Sequence, residues 1–192
     1  MRRIDPTLRY QATIELASKD GLQLVRFGPQ SFGYIQKAPY PGWKVFGSAL
    51  SQAVTVLFKT VPKISVTRLG LRYVNAFRAD VHGVGGIEKL NLAIKASGQD
   101  LNSSVNLIYR VPLWEGNSCT VRLATIDMVQ GAIPKSTTVV ADVDVYTNDG
   151  YSTVNPDEAM AWMERAHKEE KEVFFGLMTE DMILRLREDY SA

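Results

Sequence analysis

The run Arg68-Leu69-Gly70-Leu71-Arg72-Tyr73-Val74-Asn75-Ala76-Phe77 constrains the fold more than any other stretch of the chain. Its alternation marks a strand, in which successive side chains point to opposite faces. Leu69, Leu71, Tyr73, Asn75 and Phe77 then share one face, apolar except for the asparagine amide. Arg68, Gly70, Arg72, Val74 and Ala76 share the other. The first face suits a core. Asn75, once buried, needs hydrogen-bond partners, so it is either a local backbone brace or a site residue. Arg68 and Arg72 stand roughly 13 Å apart at the strand rise, with bare backbone between them at Gly70. Their face admits two readings. One is a solvated or helix-covered surface whose guanidinium groups pair with neighbouring carboxylates. The other is a floor for an anionic ligand or an acidic partner segment, because the guanidinium fork matches carboxylate and phosphate geometry.

The carboxylates for the first reading stand in the run Val139 to Tyr146. Val139, Ala141, Val143 and Val145 fall on one face, and Asp142 and Asp144 fall on the other, roughly 7 Å apart along the strand. If the two strands are neighbours with those faces aligned, the arginines are expected to depress both aspartate pKa values and hold the carboxylates ionised. On this reading Arg68 to Phe77 is the central strand of the sheet. Arg68, Arg72, Tyr73, Asn75, Asp142 and Asp144 are the candidate ligand- or partner-binding residues.

The remainder supplies elements to flank and cover that strand. Tyr10, Ala12, Ile14 and Leu16 alternate with polar residues over 8–18, Lys19-Asp20-Gly21 is a turn, and Leu22 to Phe27 returns as the second arm of a hairpin. Ser31 to Gln36 makes a third short strand after Gly28-Pro29-Gln30. Ala38-Pro39-Tyr40-Pro41-Gly42-Trp43 cannot begin a helix before its prolines, so it is a rigid connector, with Tyr40 and Trp43 pinning it to a core. Val45, Phe46, Ala49, Leu50, Ala53, Val54, Leu57 and Phe58 give Lys44 to Thr60 a helical apolar stripe. Gly83-Val84-Gly85-Gly86 lacks the Lys-Ser/Thr pair of a phosphate-binding loop and reads as a flexible connector. Leu90 and Ile94 predict a short helix over Ile87 to Ala96. Val105 to Val111 and Thr120 to Val129 are further strands. Asn155-Pro156-Asp157-Glu158 is a helix start, with Asn as N-cap and Pro at the first helical position. Its stripe runs through Ala159, Trp162, Met163, Ala166, Val173, Phe174 and Leu177, and Thr179 caps a last short helix. The pattern predicts an α+β fold in one domain over 1–192: an antiparallel sheet of about seven strands, with a mid-chain helix and a long C-terminal helix packed on one face. A meander followed by a helix occurs in both halves, which hints at an internal duplication.

Composition narrows the function class. Hydrophobic residues at 45% and charged residues at 22% are ordinary for a soluble domain, and a net charge of +1 supplies no global field for nucleic acid or an acidic membrane. Cys119 is the only cysteine, which rules out an intramolecular disulfide, fits a reducing compartment and reads as a buried small hydrophobe. No apolar stretch follows Arg2-Arg3 as in a signal peptide, and none approaches the ~20 apolar residues of a membrane helix. A cytoplasmic protein with no membrane contact is expected. No metal-ligand cluster, cofactor loop or catalytic motif is legible; His82 is a lone loop histidine and His167 a packed or capping one.

Several landmarks together resemble a known family. The Tyr40-Pro41-Gly42-Trp43 connector, the helix after it, the Arg68-Leu69-Gly70-Leu71-Arg72-Tyr73-Val74-Asn75 strand, the Asp142-Val143-Asp144 strand, and Trp162, His167, Phe174-Phe175 and Leu177-Met178-Thr179 of the terminal helix carry the resemblance. It is to a sporadically distributed bacterial protein family of uncharacterised function, and it covers about residues 25 to 188. The resemblance implies no reaction and no cofactor. It implies an extra leading strand in longer members, so this chain is expected to be short at its N-terminus. Patchy distribution implies carriage with mobile or defence gene clusters.

Two functions follow as expectations. The first is a non-enzymatic module that binds a partner protein or peptide through a sheet face or edge. The second is a small anionic-ligand binder or enzyme with Arg68, Arg72, Asn75, Asp142 and Asp144 in one cleft. Enzymatic activity is left open, with the balance against it. An open sheet edge also permits a homodimer.

Overall fold

The computed structural model describes residues 10–101, 104–129 and 133–189, so the start of the expected first strand at Leu8 lies outside the described residues. The chain groups into two compact units, residues 1–64 and 65–192.

In the first unit, β1 (Ile14–Ala17), β2 (Gln23–Gly28) and β3 (Ser31–Gln36) form an antiparallel meander in the order β1-β2-β3, followed by helix α1 (Trp43–Thr60). The first turn closes because the Asp20 carboxylate accepts the Leu22 N–H at 3.0 Å, while Gly21 takes the left-handed φ of +71°. Phe46 organises the packing here. Tyr34, Tyr40 and Trp43 lie around its ring at centroid distances of 5.6, 6.0 and 5.8 Å. The aromatic residues of the connector therefore pin it to α1, as the sequence suggests.

The second unit contains β4 (Gly70–Arg78), the short helix α2 (Ala79–His82), a ribbon of β5 (Lys95–Ala96) and β6 (Gln99–Asp100), then β7 (Asn106–Pro112), β8 (Asn117–Thr125) and β9 (Thr137–Thr147), and finally α3 (Pro156–Gly176) and α4 (Glu180–Asp189). Its main sheet is antiparallel throughout in the order β4-β9-β8-β7. The fold is α+β, but the seven longer strands divide into sheets of three and four rather than forming one. The Arg68–Phe77 run is also not central: β4 closes one side of the sheet, and β9 takes the place between two neighbours. Burial shows why. On β9, Val139, Ala141, Val143 and Val145 have no exposed surface at all, whereas β4 leaves Gly70, Arg72 and Val74 exposed.

The predicted helix over Ile87 to Ala96 is a single 3₁₀ turn, Ile87–Lys89, followed by extended chain into β5. Ile87 and Leu90 both reach the core, and one turn is enough to point both inward. The Asn91 N–H then donates to Leu177 O at 2.8 Å and its side chain to Gly176 O at 3.1 Å, tying this stretch to the end of α3. The strand expected over Thr120 to Val129 likewise ends at Thr125, where the 3₁₀ turn Ile126–Met128 begins.

Helix α3 starts as the sequence dictates, with the Asn155 side chain accepting the Asp157 N–H at 2.9 Å and Pro156 next to it. It lies on the valine face of the sheet. Ala166 permits close approach there, and Trp162 Nε1 donates to Asn117 Oδ1 on β8 at 2.8 Å. Leu123, fully enclosed at 0% exposure, sits in this layer. Leu123→Ala is expected to lower stability by about 2–5 kcal/mol, whereas Val74→Ala on the open face should change it by no more than about 0.5 kcal/mol. Urea denaturation followed by tryptophan emission measures both.

Candidate partner-binding face

The face of the β4-β9-β8-β7 sheet opposite α3 is built by register. Arg72 stands across from Asp144 and Val74 from Asp142, and on the far side of β9 Thr120 meets Asp144 and Arg122 meets Asp142. One strand further, Arg110 is level with Thr120 and Ile108 with Arg122. The alternation that buries the valines thus places Arg72, Arg110, Arg122, Asp142, Asp144 and Tyr146 on one surface.

Arg72 reaches diagonally to Asp142 rather than directly across to Asp144. Its Nε donates to Oδ1 at 2.7 Å and its Nη2 to Oδ2 at 2.6 Å, a two-point pair. The aspartate side chain is only 14% exposed and the arginine side chain 59%. The hydrogen bond to Asp142 is the main reason the guanidinium holds its proton more tightly than usual. Arg68 pairs with no carboxylate among the described residues. Its guanidinium lies over the Tyr146 ring at 4.9 Å from the centroid, and Arg110 lies over the same ring at 5.5 Å. Arg110 also donates to Asn148 Oδ1 at 2.6 Å, and Arg122 Nε to Asn106 Oδ1 at 3.1 Å. Among the described residues, four arginines therefore share this face with two aspartates, which gives it a cationic balance.

The arginines do not hold Asp144 low, as the sequence leads one to expect. Burial pushes its carboxyl up and outweighs the opposing pull of Arg72 and Arg68. The ion pair forms at Asp142, and among the described residues no side-chain hydrogen bond or ion pair is seen at Asp144.

Tyr73 and Asn75, grouped with these residues by sequence, lie on the opposite face under α3, so the six predicted site residues do not form one cluster. The Tyr73 hydroxyl is 3.4 Å from His167 Nδ1, and the Phe77 and Phe174 rings stack with centroids 6.1 Å apart. Asn75 falls between these two contacts along β4, and its Nδ2 is buried with no hydrogen-bond partner among the described residues. Nearby on α3, Glu170 is only 3% exposed, and burial raises its carboxyl to about 7 against the pull of Lys171. Cys119 is fully buried and its thiol is pushed up to about 12 by burial, which leaves it inert as a nucleophile.

Sequence reasoning passed over Glu170, Arg110, Arg122 and Tyr146. Glu170 follows Ala166 by four residues and so continues the apolar stripe, a readable signal of burial. The two arginines and Tyr146 occupy the polar phase of their own strands, but their assembly depends on register. A separate cleft of about 420 Å³ lies between the Trp114–Asn117 turn and the Asn148–Tyr151 turn, with Trp162 at its base, and none of the six predicted residues lines it.

No family model, curated protein or solved structure matches this chain. Among the described residues, no helix is long and apolar enough to cross a membrane.

Glu170 carries a pH prediction. Its ordinary value is 4.5 and its folded value about 7, so the folded state binds this proton more tightly. The contribution to stability is complete below the lower value and is lost as pH rises through the upper one, by about 3 kcal/mol in all. His167 acts with the opposite sign, since burial lowers its pKa. Subtracting the denaturation profile of Glu170→Gln from that of the wild type cancels the His167 contribution. The difference should grow between pH 4.5 and 7 in favour of the variant. A flat difference refutes the assignment.

Proposed function

We propose that this chain is a non-enzymatic binding module that recognises a partner protein or peptide through the arginine-bearing face of the β4-β9-β8-β7 sheet. The observation that carries this reading is the concentration of Arg68, Arg72, Arg110 and Arg122 on the one sheet face that α3 leaves uncovered, against only Asp142 and Asp144. Aromatic and arginine side chains of this kind anchor protein interfaces, and the guanidinium groups of Arg68 and Arg110 both lie over the Tyr146 ring. The alternative, a small anionic ligand held in an Arg/Asp/Asn cleft, lacks its asparagine: alternation places Asn75 on the other side of β4. Bacterial origin and carriage with mobile or defence gene clusters accompany this proposal through the family resemblance, cytoplasmic location through composition, and self-association through the same surface is compatible with it.

Affinity capture from the source cells with the wild type and with Arg68→Ala/Arg72→Ala tests the face: loss of the specific partner is expected, and full retention of every partner would sink the reading. The two single changes should also separate in stability. Arg72→Ala leaves the largely covered Asp142 carboxylate unpaired and is expected to cost about 1–3 kcal/mol. Arg68→Ala removes a cation–π contact worth only about 0.5–1 kcal/mol. Thermal melts of both variants read the difference.

A further inference from the structure

We infer that the partner is an extended, acidic segment that adds to the sheet as a new strand along the outer side of β4. This rests on the binding-module reading and names the partner's chemistry.

Backbone phase is the first support. Thr147 N–H donates to Leu69 O at 3.1 Å, and Leu69 N–H donates to Thr147 Oγ1 at 3.1 Å. In an antiparallel ladder the bonded positions then recur at every second residue, at Leu71, Tyr73 and Asn75. The N–H and C=O groups of Arg72, Val74 and Ala76 consequently point away from β9. No backbone or side-chain hydrogen bond reaches them among the described residues. This is the unpaired row that β-strand addition uses.

The opposite edge of the sheet is interrupted at one end. On β7 the Thr125 N–H to Val105 O bond, 2.9 Å, sets Asn106, Ile108, Arg110 and Pro112 as the outward positions. Pro112 has no N–H to offer, which blunts that edge. Strand β4, Gly70 to Arg78, contains no proline and presents the smallest side chain at Gly70.

Charge selects the occupant. A strand added to β4 lies about 4.8 Å away, and every second side chain faces the arginine surface. Along that border stand Arg68, which has no carboxylate partner among the described residues, and Arg72, whose exposed guanidinium is tied to Asp142 on its inner side. Val74, 61% exposed, lies beyond Arg72 and offers an apolar contact. Acidic side chains at alternate positions meet the arginines, whereas a basic segment is repelled.

The test uses fluorescence anisotropy of a synthetic peptide of about eight residues alternating Glu and Thr, with a Lys/Thr peptide as control. Three results are expected. The acidic probe binds, and its affinity falls by roughly tenfold as salt rises from about 20 to 200 mM, while the basic control does not bind. N-methylation of the probe at alternate positions, made in both phases, abolishes binding in one phase and spares it in the other. Arg68→Ala/Arg72→Ala weakens binding by roughly tenfold or more.

Other outcomes overturn the inference. Binding that survives N-methylation in both phases means the face alone is used. No binding of the acidic probe at about 1 mM, with a captured partner still lost in the double-arginine variant, defeats strand addition and leaves the binding-module reading standing. Retention of every partner by that variant defeats both. Concentration-dependent dimerisation abolished by Val74→Pro assigns the edge to a second copy instead.

Discussion

The arrangement of residues 65–192 depends on β9 being sealed on one face and paired along both sides. Its alternate residues Val139, Ala141, Val143 and Val145 are fully enclosed under α3, which fixes its register, because a slip of one residue would turn Asp142 and Asp144 into the core. With that register set, the pairing with β4 and β8 follows, and so does the position of every arginine on the opposite face. The polar surface is thus a consequence of hydrophobic sorting on the other side of the same strand. No charge on that surface is needed to define the fold.

Electrostatics then acts within the fixed frame. Arg72 has two aspartates within its radius and engages Asp142 in a two-point pair, leaving Asp144 to bear the penalty of burial. A pair with one partner largely exposed contributes only modestly to stability. Breaking it from the arginine side is another matter, since Asp142 is the covered partner and loses the two-point donor Arg72. The face therefore tolerates arginine being shared with a visiting carboxylate more readily than arginine being removed. Arg68 and Arg110 show the same economy, stacked on Tyr146 with their charges largely unneutralised.

How much of this could be read from the sequence follows from the physics of each feature. The two faces of Arg68–Phe77 were legible, because strand period alone assigns them. The Asn155-Pro156 helix start was legible because capping chemistry is local. The position of β4 at the edge was not, since the number of neighbours a strand has is decided by pairing partners distant in sequence. The division into two sheets escaped for the same reason. Asp144 was misjudged because proximity to arginine was counted and burial was not, and burial is the larger effect there. The 3₁₀ turn at Ile87 was mistaken for a helix because two apolar residues three or four apart satisfy either geometry. Tyr73 and Asn75 joined the candidate site only through adjacency in sequence, which in a strand places neighbours back to back.

The polar atoms beneath α3 sharpen the contrast between the two faces. On the outer face several polar side chains have partners: Arg110 with Asn148, Arg122 with Asn106, Tyr146 with Thr120 and Arg72 with Asp142. On the inner face Asn75 Nδ2 is buried without a partner among the described residues, and Glu170 is enclosed with its carboxyl raised to about 7. A chain selected only for stability would fill such positions with apolar side chains of similar size, since an unpaired buried polar group costs more than it returns.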